Sequence, residues 1–188
     1  MHEIIWHGRG GQGVVVAAQI LAESAYLQGY KGVTSAPTFG PERRGAPLTA
    51  STKISDTPLR TFAQIETADV AVVLDPSLLK VVDIVGSLKD SGLIIINTTL
   101  QPTDFKFRGN RKIAVLDAVK VARQYHLLKE DAPVVNTPLL GAFARAAGLV
   151  TLEYIEKGLN KKLPKKVVAA NSMALKAAYE QTVIGKYS

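Results

Sequence analysis

The stretch that decides the fold is "HGRGGQGVVVAAQ", residues 7–19. It follows the apolar run "IIW" and leads into a long Ala/Val/Leu-rich segment. Gly8, Gly10 and Gly13 fit G-x-G-x-x-G, the dinucleotide-binding fingerprint, with Gly11 and Gln12 inside it. A strand enters, glycines permit a tight turn, and a helix leaves with its first N–H groups free. Such a Rossmann-like turn suits any anion, phosphate or carboxylate. The nicotinamide-dinucleotide form also needs an acid about 20 residues further on to hold the ribose. That region here is "YKGVTSAPTFGPE", with Thr34 and Ser35 at the expected strand end and no acid before Glu42. G-x-x-x-x-G-K-[ST] does not occur, which excludes phosphoryl transfer through a P-loop.

Outward from the loop, strands and helices alternate. Val16, Ala17, Ile20, Leu21, Ser24 and Leu27 recur at helical spacing, and Gly29 is the expected stop of that helix. Strands are expected at Ile4–His7, "KGVTSAP" (31–37) and "LTASTKIS" (48–55). "DVAVVLD" (69–75) is almost continuously apolar, as a strand buried on both faces must be. "SGLIIINTT" (91–99) and "RKIAVLD" (111–117) are two more strands. Helices are expected at "SLLKVVDIVGSL" (77–88), with Asp75 as cap and Pro76 in its first turn, and at "AVKVARQYHLL" (118–128). "NTPLLGAFARAAGLV" (136–150) reads as a small-residue helix opened by Asn136 or Thr137. Two further helices meet around Leu163 and Pro164. The order predicts an α/β fold: a Rossmann-like, mainly parallel sheet, helices on both faces and a helical C-terminal extension. Residues 1–188 are expected to form a single domain, the helices from about residue 151 forming a flap.

Composition narrows the chemistry. The chain has no cysteine, which excludes disulfides, a thiol nucleophile and thiolate-held zinc or iron–sulfur clusters. His2, His7 and His126 are scattered and form no metal-ligand spacing. The net charge is +7, and five lysines crowd "KGLNKKLPKK" (157–166) without interleaved aromatics. That argues for a solvated helical surface rather than a nucleic-acid platform. "MHEIIWHG" reads as a first strand and not a signal peptide, and no apolar run reaches transmembrane length. A cytoplasmic location is expected.

The second unusual stretch is "PTFGPERRGAP" (37–47). Pro37, Pro41 and Pro47 restrict the chain, and Gly40 and Gly45 let it bend sharply. Glu42, Arg43 and Arg44 stand at its centre. A rigid arginine pair suits a carboxylate, a phosphate or an acidic groove on a partner; Glu42 paired with one arginine in a structural loop is the plainer alternative.

"GRGGQGVVVAAQILAESA" (8–25), "FGPERRGAP" (39–47), "KISDTPL" (53–59) and "ADVAVVLDPSLL" (68–79), in this order, resemble the gamma subunit of 2-oxoacid:ferredoxin oxidoreductases. The "NTPLLGAFARAAGLV" segment and the overall length extend the likeness over essentially the whole chain. "PERRGAP" looks more like the pyruvate or branched-chain 2-oxoacid members than the 2-oxoglutarate type, which tends toward "RGG". The resemblance implies oxidative decarboxylation of a 2-oxoacid, acyl transfer to coenzyme A and electrons passed to ferredoxin. It implies alpha and beta partners, with a delta subunit where separate, and no nucleic acid or membrane. Thiamine diphosphate with Mg2+ and the iron–sulfur clusters would sit on other subunits, leaving this chain no tightly bound cofactor, no catalytic residue and no activity alone. The absence of cysteine and of a "GDG…N" thiamine pattern accords with that division. Gly8, Gly10, Gly11, Gln12, Gly13, Arg43 and Arg44 are the residues expected to touch coenzyme A phosphates or a neighbouring subunit. The alternatives are the smaller subunit of an indolepyruvate-type enzyme and a free-standing NAD-binding oxidoreductase.

Overall fold

The computed structural model describes residues 1–37, 45–60, 63–107 and 109–186. In chain order, β1 (His2–Arg9) leads through the glycine loop to α1 (Val14–Gln28), then β2 (Gly32–Pro37), β3 (Pro47–Ser55), β4 (Ala68–Val73) and β5 (Leu88–Asn97). β6 (Lys112–Leu116) and α2 (Ala118–Gln124) follow, then a two-stranded ribbon of β7 (Leu128–Lys129) and β8 (Ala132–Pro133). The chain closes with α3 (Asn136–Ala147), α4 (Leu152–Lys162), α5 (Lys165–Gln181) and β9 (Val183–Lys186).

The main sheet has seven strands in the order β2-β3-β1-β4-β5-β6-β9. Its centre, β1-β4-β5-β6, is parallel throughout. β3 is antiparallel to both β1 and β2, and β9 is antiparallel to β6. The expected α/β class therefore stands, with antiparallel strands on both flanks. β9 is an addition: the chain does not end in helix but returns to pair with β6.

The apolar runs are continuous because the central strands are buried on both faces. Ile4, Trp6, Val70, Val72, Leu93, Ile95 and Ala114 face the larger core, which α1 to α5 cover. Ala71, Val73, Ile94, Ile96, Ile113 and Val115 face a second core. Each fully buried Ile or Val contributes roughly 1.5–3 kcal/mol. Trp6 packs against Phe143 of α3, ring centroids 6.0 Å apart. Its indole N–H donates to Thr52 Oγ1, whose hydroxyl donates to the Ala18 carbonyl of α1. Thus the buried polar atoms of this core are paired, as burial demands.

Two expectations change in detail. α1 runs as predicted, ended by Gly29 in the left-handed conformation, but its buried face is Val14, Ala17, Ala18, Leu21 and Ala25 together with Ile20 and Ser24, while Val16 points to solvent. Residues 77–88 do not form an α-helix. Asp75 does accept from Ser77 N and Pro76 does open the first turn, yet only a 3-10 helix, Pro76–Lys80, results. Two β-branched residues, Val81 and Val82, come next, and the Asp83 carboxylate then accepts from Gly86 N–H to close a turn instead of leaving it to a helix. Leu78 and Ile84 from this segment, with Phe105 and Phe107 packed against them, cover the second core. α-Helices therefore lie on one face of the sheet only, among the described residues.

The C-terminal helices are not a flap. Ile155 and Leu159 of α4 and Ala174, Leu175 and Ala178 of α5 belong to the same apolar cluster as β1 and α1. Lys157 pairs with Glu153, and Lys161 and Lys162 with Glu23 of α1, so much of the lysine run is an ion-paired surface.

Candidate functional site

Between β1 and α1 the backbone must reverse within a few residues, and at Gly8 and Gly13 the surroundings crowd the space of a side chain. A Cβ on Gly8 would lie 2.5 Å from Val14 Cγ2. Gly13 has φ +79° and caps α1 in the left-handed region, where only glycine sits without strain. A Cβ there would lie 2.5 Å from Asn136 Nδ2. Gln12 folds back on the strand: its Oε1 accepts from Arg9 N–H at 2.7 Å, and its own N–H donates to Arg9 O at 3.0 Å. α1 starts with no side-chain cap and no acidic residue in its first turn. The glycine loop therefore presents a helix N-terminus of positive character.

The base of the second motif lies against this loop. Gly10 N–H donates to Ala46 O at 3.0 Å, and Gly45 N–H donates to Gly10 O at 3.2 Å. Arg9 Nη1 reaches Gly45 O at 3.0 Å. The two stretches singled out in the sequence thus meet at one end of the sheet. Gly8, Gly10, Gly11, Gln12 and Gly13 are brought together there; Arg43 and Arg44 lie outside the described residues.

This end is also where the chain reverses its direction of travel across the sheet. From β1 it runs to β2 and β3 on one side, then to β4 on the other. In open α/β sheets the crevice at such a switch point, beyond the strand carboxyl ends, is the usual ligand position. Here the crevice is bridged. Arg9 Nε donates to Asp75 Oδ2 at 2.8 Å and Arg9 Nη2 to Ser77 Oγ at 2.8 Å. Gln12 Nε2 adds a longer contact to the same carboxylate at 3.4 Å. Burial alone would raise the Asp75 carboxyl's pKa; the hydrogen bonds from Ser77 and Arg9 outweigh it and hold it below the ordinary value. The Arg9–Asp75 ion pair thus occupies the crevice itself. Nor does the sheet place a ribose acid where a dinucleotide needs it. β3 intervenes between β1 and β2, which sets the β2 end roughly 9–10 Å from β1 at two strand spacings.

Three further polar residues, not picked out as site residues from sequence, support this end of the sheet. Asn97 closes β5: its Nδ2 donates to Leu74 O and its Oδ1 accepts from Ala118 N–H, tying β4 to the start of α2. Asn136, read from sequence as a simple helix opener, donates from Nδ2 to Gly13 O at 3.3 Å. His7 lies two residues before Arg9, 5% exposed, on the strand face opposite Trp6. Among the described residues its Nε2 has no hydrogen-bond partner, and burial lowers its pKa from 6.5 to about 4, so the ring is neutral near pH 7. Asparagine side chains carry no period or spacing that marks them in advance. A histidine inside an apolar strand is a visible signal, but not of which partner it lacks.

Among the described residues no cluster of His, Asp or Glu has the makings of a metal site, and no helix is long and apolar enough to cross a membrane.

An open α/β sheet with a glycine-loop helix at its switch point defines a protein of the Rossmann-like α/β class. Comparison with known proteins carries this further. The family model described as pyruvate ferredoxin/flavodoxin oxidoreductase matches residues 3–181, and the chain belongs to that family. A relative from Pyrococcus furiosus, the common subunit gamma of pyruvate/ketoisovalerate oxidoreductases, is 45% identical over 187 residues, covering 98% of each chain. The crystal structure of pyruvate oxidoreductase subunit PORC from Thermotoga maritima superposes with a TM-score of 0.80 at 37% identity, covering 98% of each chain. The resemblance to the gamma subunit is thereby borne out. A 2-oxoglutarate:ferredoxin oxidoreductase from Magnetococcus marinus, solved with 2-oxoglutarate, coenzyme A and succinyl-CoA bound, has the same fold (TM-score 0.74) at 17% identity; this chain covers 31% of it.

Proposed function

We propose that this chain is the gamma subunit of a cytoplasmic, multi-subunit pyruvate or branched-chain 2-oxoacid:ferredoxin oxidoreductase, in which it shapes the subunit interfaces and receives the phosphates of coenzyme A. Alpha and beta subunits, with delta where separate, carry thiamine diphosphate, Mg2+ and the iron–sulfur clusters. This chain alone is inactive. When bound on the partners, thiamine diphosphate supplies the carbanion chemistry of decarboxylation; this chain's residues position and bind.

The single observation that carries the coenzyme A part is the junction of the two motifs. The glycine loop and the base of the arginine loop are hydrogen-bonded through Gly10, Gly45 and Ala46. An uncapped helix N-terminus, hydrogen-bonded to the residues that follow Arg43 and Arg44 in the sequence, supports a phosphate-receiving role for the two motifs. Coenzyme A bound to an oxidoreductase of the same fold is in keeping with it.

The test is the assembled complex carrying Arg43→Ala and Arg44→Ala together. The reading expects a raised KM for coenzyme A at unchanged KM for the 2-oxoacid. An unchanged coenzyme A KM with normal assembly would dispose of it. Loss of assembly on gel filtration would instead assign the arginines to a neighbouring subunit's carboxylates.

A further inference from the structure

Gly13 and Asn136 lie 123 residues apart, yet the asparagine fills the space in which a Gly13 side chain would stand. Asn136 is 5% exposed, so its amide cannot rely on water. Its orientation follows from its partners. Thr137 N–H can only donate, and it donates to Asn136 Oδ1 at 2.8 Å. The Gly13 carbonyl can only accept, so Nδ2 must face the loop. That carbonyl already takes the Ala17 N–H at 2.9 Å, the first rung of α1. With both of its lone pairs engaged, the Gly13 peptide is held with its oxygen turned inward along α1.

The support continues into the helical layer. Thr137 Oγ1 donates to Asn171 Oδ1 of α5 at 2.6 Å, and Asn171 Nδ2 donates to Val167 O at 2.8 Å. Thr137 is 1% exposed and Asn171 7%. Polar groups so deeply buried stay where their partners are, and they anchor the start of α3 to α5.

We propose that Asn136 is a positioning residue for coenzyme A: by holding Gly13 it fixes the direction of the glycine-loop N–H groups that meet the phosphates. This rests on the reading of the loop as the coenzyme A phosphate site. Asn136 touches the loop and not the ligand, so its effect is on affinity for coenzyme A and not on the 2-oxoacid half of the reaction.

The experiment uses the assembled complex with coenzyme A varied at saturating 2-oxoacid and ferredoxin. Asn136→Ala removes the donor and the acceptor; Asn136→Asp keeps the shape and the acceptor for Thr137 N–H but turns a carboxylate oxygen against the Gly13 carbonyl. Asn136→Ala is expected to raise the coenzyme A KM about five- to tenfold, the scale of one lost neutral hydrogen bond, and Asn136→Asp at least as much, with kcat and the 2-oxoacid KM within twofold of wild type. Thr137→Val breaks only the link to Asn171. It is expected to lower the thermal midpoint of the chain and leave the coenzyme A KM unchanged, which separates loss of stability from loss of positioning. If the Arg43→Ala, Arg44→Ala complex shows a raised KM and the Asn136 variants do not, the positioning role is overturned and the site reading survives. If none of them changes the coenzyme A KM, both are overturned. A complex that fails to assemble with either Asn136 variant, or a Thr137→Val complex whose KM rises equally, would make Asn136 a structural residue and overturn the role.

Discussion

Replacing His7 with leucine should change how stability depends on pH. The His7 ring is 5% exposed with an Nε2 unpartnered among the described residues, and burial lowers its pKa from 6.5 to about 4. The folded state therefore favours the neutral ring, and the unfolded chain takes up the proton first. Stability from this source is intact above pH 6.5 and is lost as pH falls from 6.5 toward 4. At about 1.36 kcal/mol per pH unit, the full loss approaches roughly 3 kcal/mol, with about 2.5 kcal/mol already gone by pH 4.5. Charged neighbours do not blur the window. Hydrogen bonds from Lys89 and Glu3 N–H to Asp69, and from Ser77 and Arg9 to Asp75, outweigh burial and put both carboxyls below their ordinary value. Their losses come at lower pH and are shared by both chains. Leucine is of similar bulk and leaves no orphan nitrogen, whose burial costs about 1–3 kcal/mol. The variant should be at least as stable as wild type at pH 7.5. Urea unfolding of the isolated chain at pH 7.5, 6.0, 5.0 and 4.5 reads the difference directly. Parallel pH profiles for the two proteins would refute the reasoning, since they would show that His7 does not titrate differently in the folded state.

Two other outcomes follow from the loop geometry. Gly13→Ala must adopt a left-handed backbone, at about 1–2 kcal/mol, and place a methyl 2.5 Å from Asn136 Nδ2; thermal unfolding should show a loss of at least ~2 kcal/mol, and a wild-type midpoint would contradict that crowding. Arg9→Gln removes the charged partner of Asp75 at the switch point; with both side chains partly exposed, the loss should be about 1 kcal/mol at pH 7, shrinking as pH falls through the Asp75 pKa, and a loss that stays constant through the acid titration of Asp75 would show that charge is not the cause.

Much of this architecture is legible in the sequence, and for a local reason. Short, β-branched, continuously apolar runs such as "VAVVLD" and "LIIIN" favour strands covered on both faces. The run of glycines before a helical repeat announces a tight strand-to-helix turn, and Gly29 announces the end of α1. These signals rest on backbone preference and side-chain period, which act over a few residues. The same signals misled at residues 77–88. Apolar spacing and a good cap favoured a helix, but Val81, Val82 and the Asp83–Gly86 turn broke it after the 3-10 segment.

The site depends on longer distances. Nothing local requires Arg9 to meet Asp75, 66 residues later, or Asn136 to meet Gly13. Those pairings exist because β4 lies beside β1 and because α3 packs against α1, choices made by the whole core. Strand order bears on the same point as the missing acid. The insertion of β3 between β1 and β2 moves the ribose-binding position away from the glycine loop, whatever residue stands there. By itself the sequence determined a glycine turn capable of holding an anion, because turn geometry and free helix N–H groups are local properties. Tertiary structure decided what surrounds that turn: Arg9 and Asp75 bridge the crevice, Asn136 bonds the Gly13 carbonyl, and Gly45 and Ala46 close against Gly10, since those positions are fixed only when distant segments pack together.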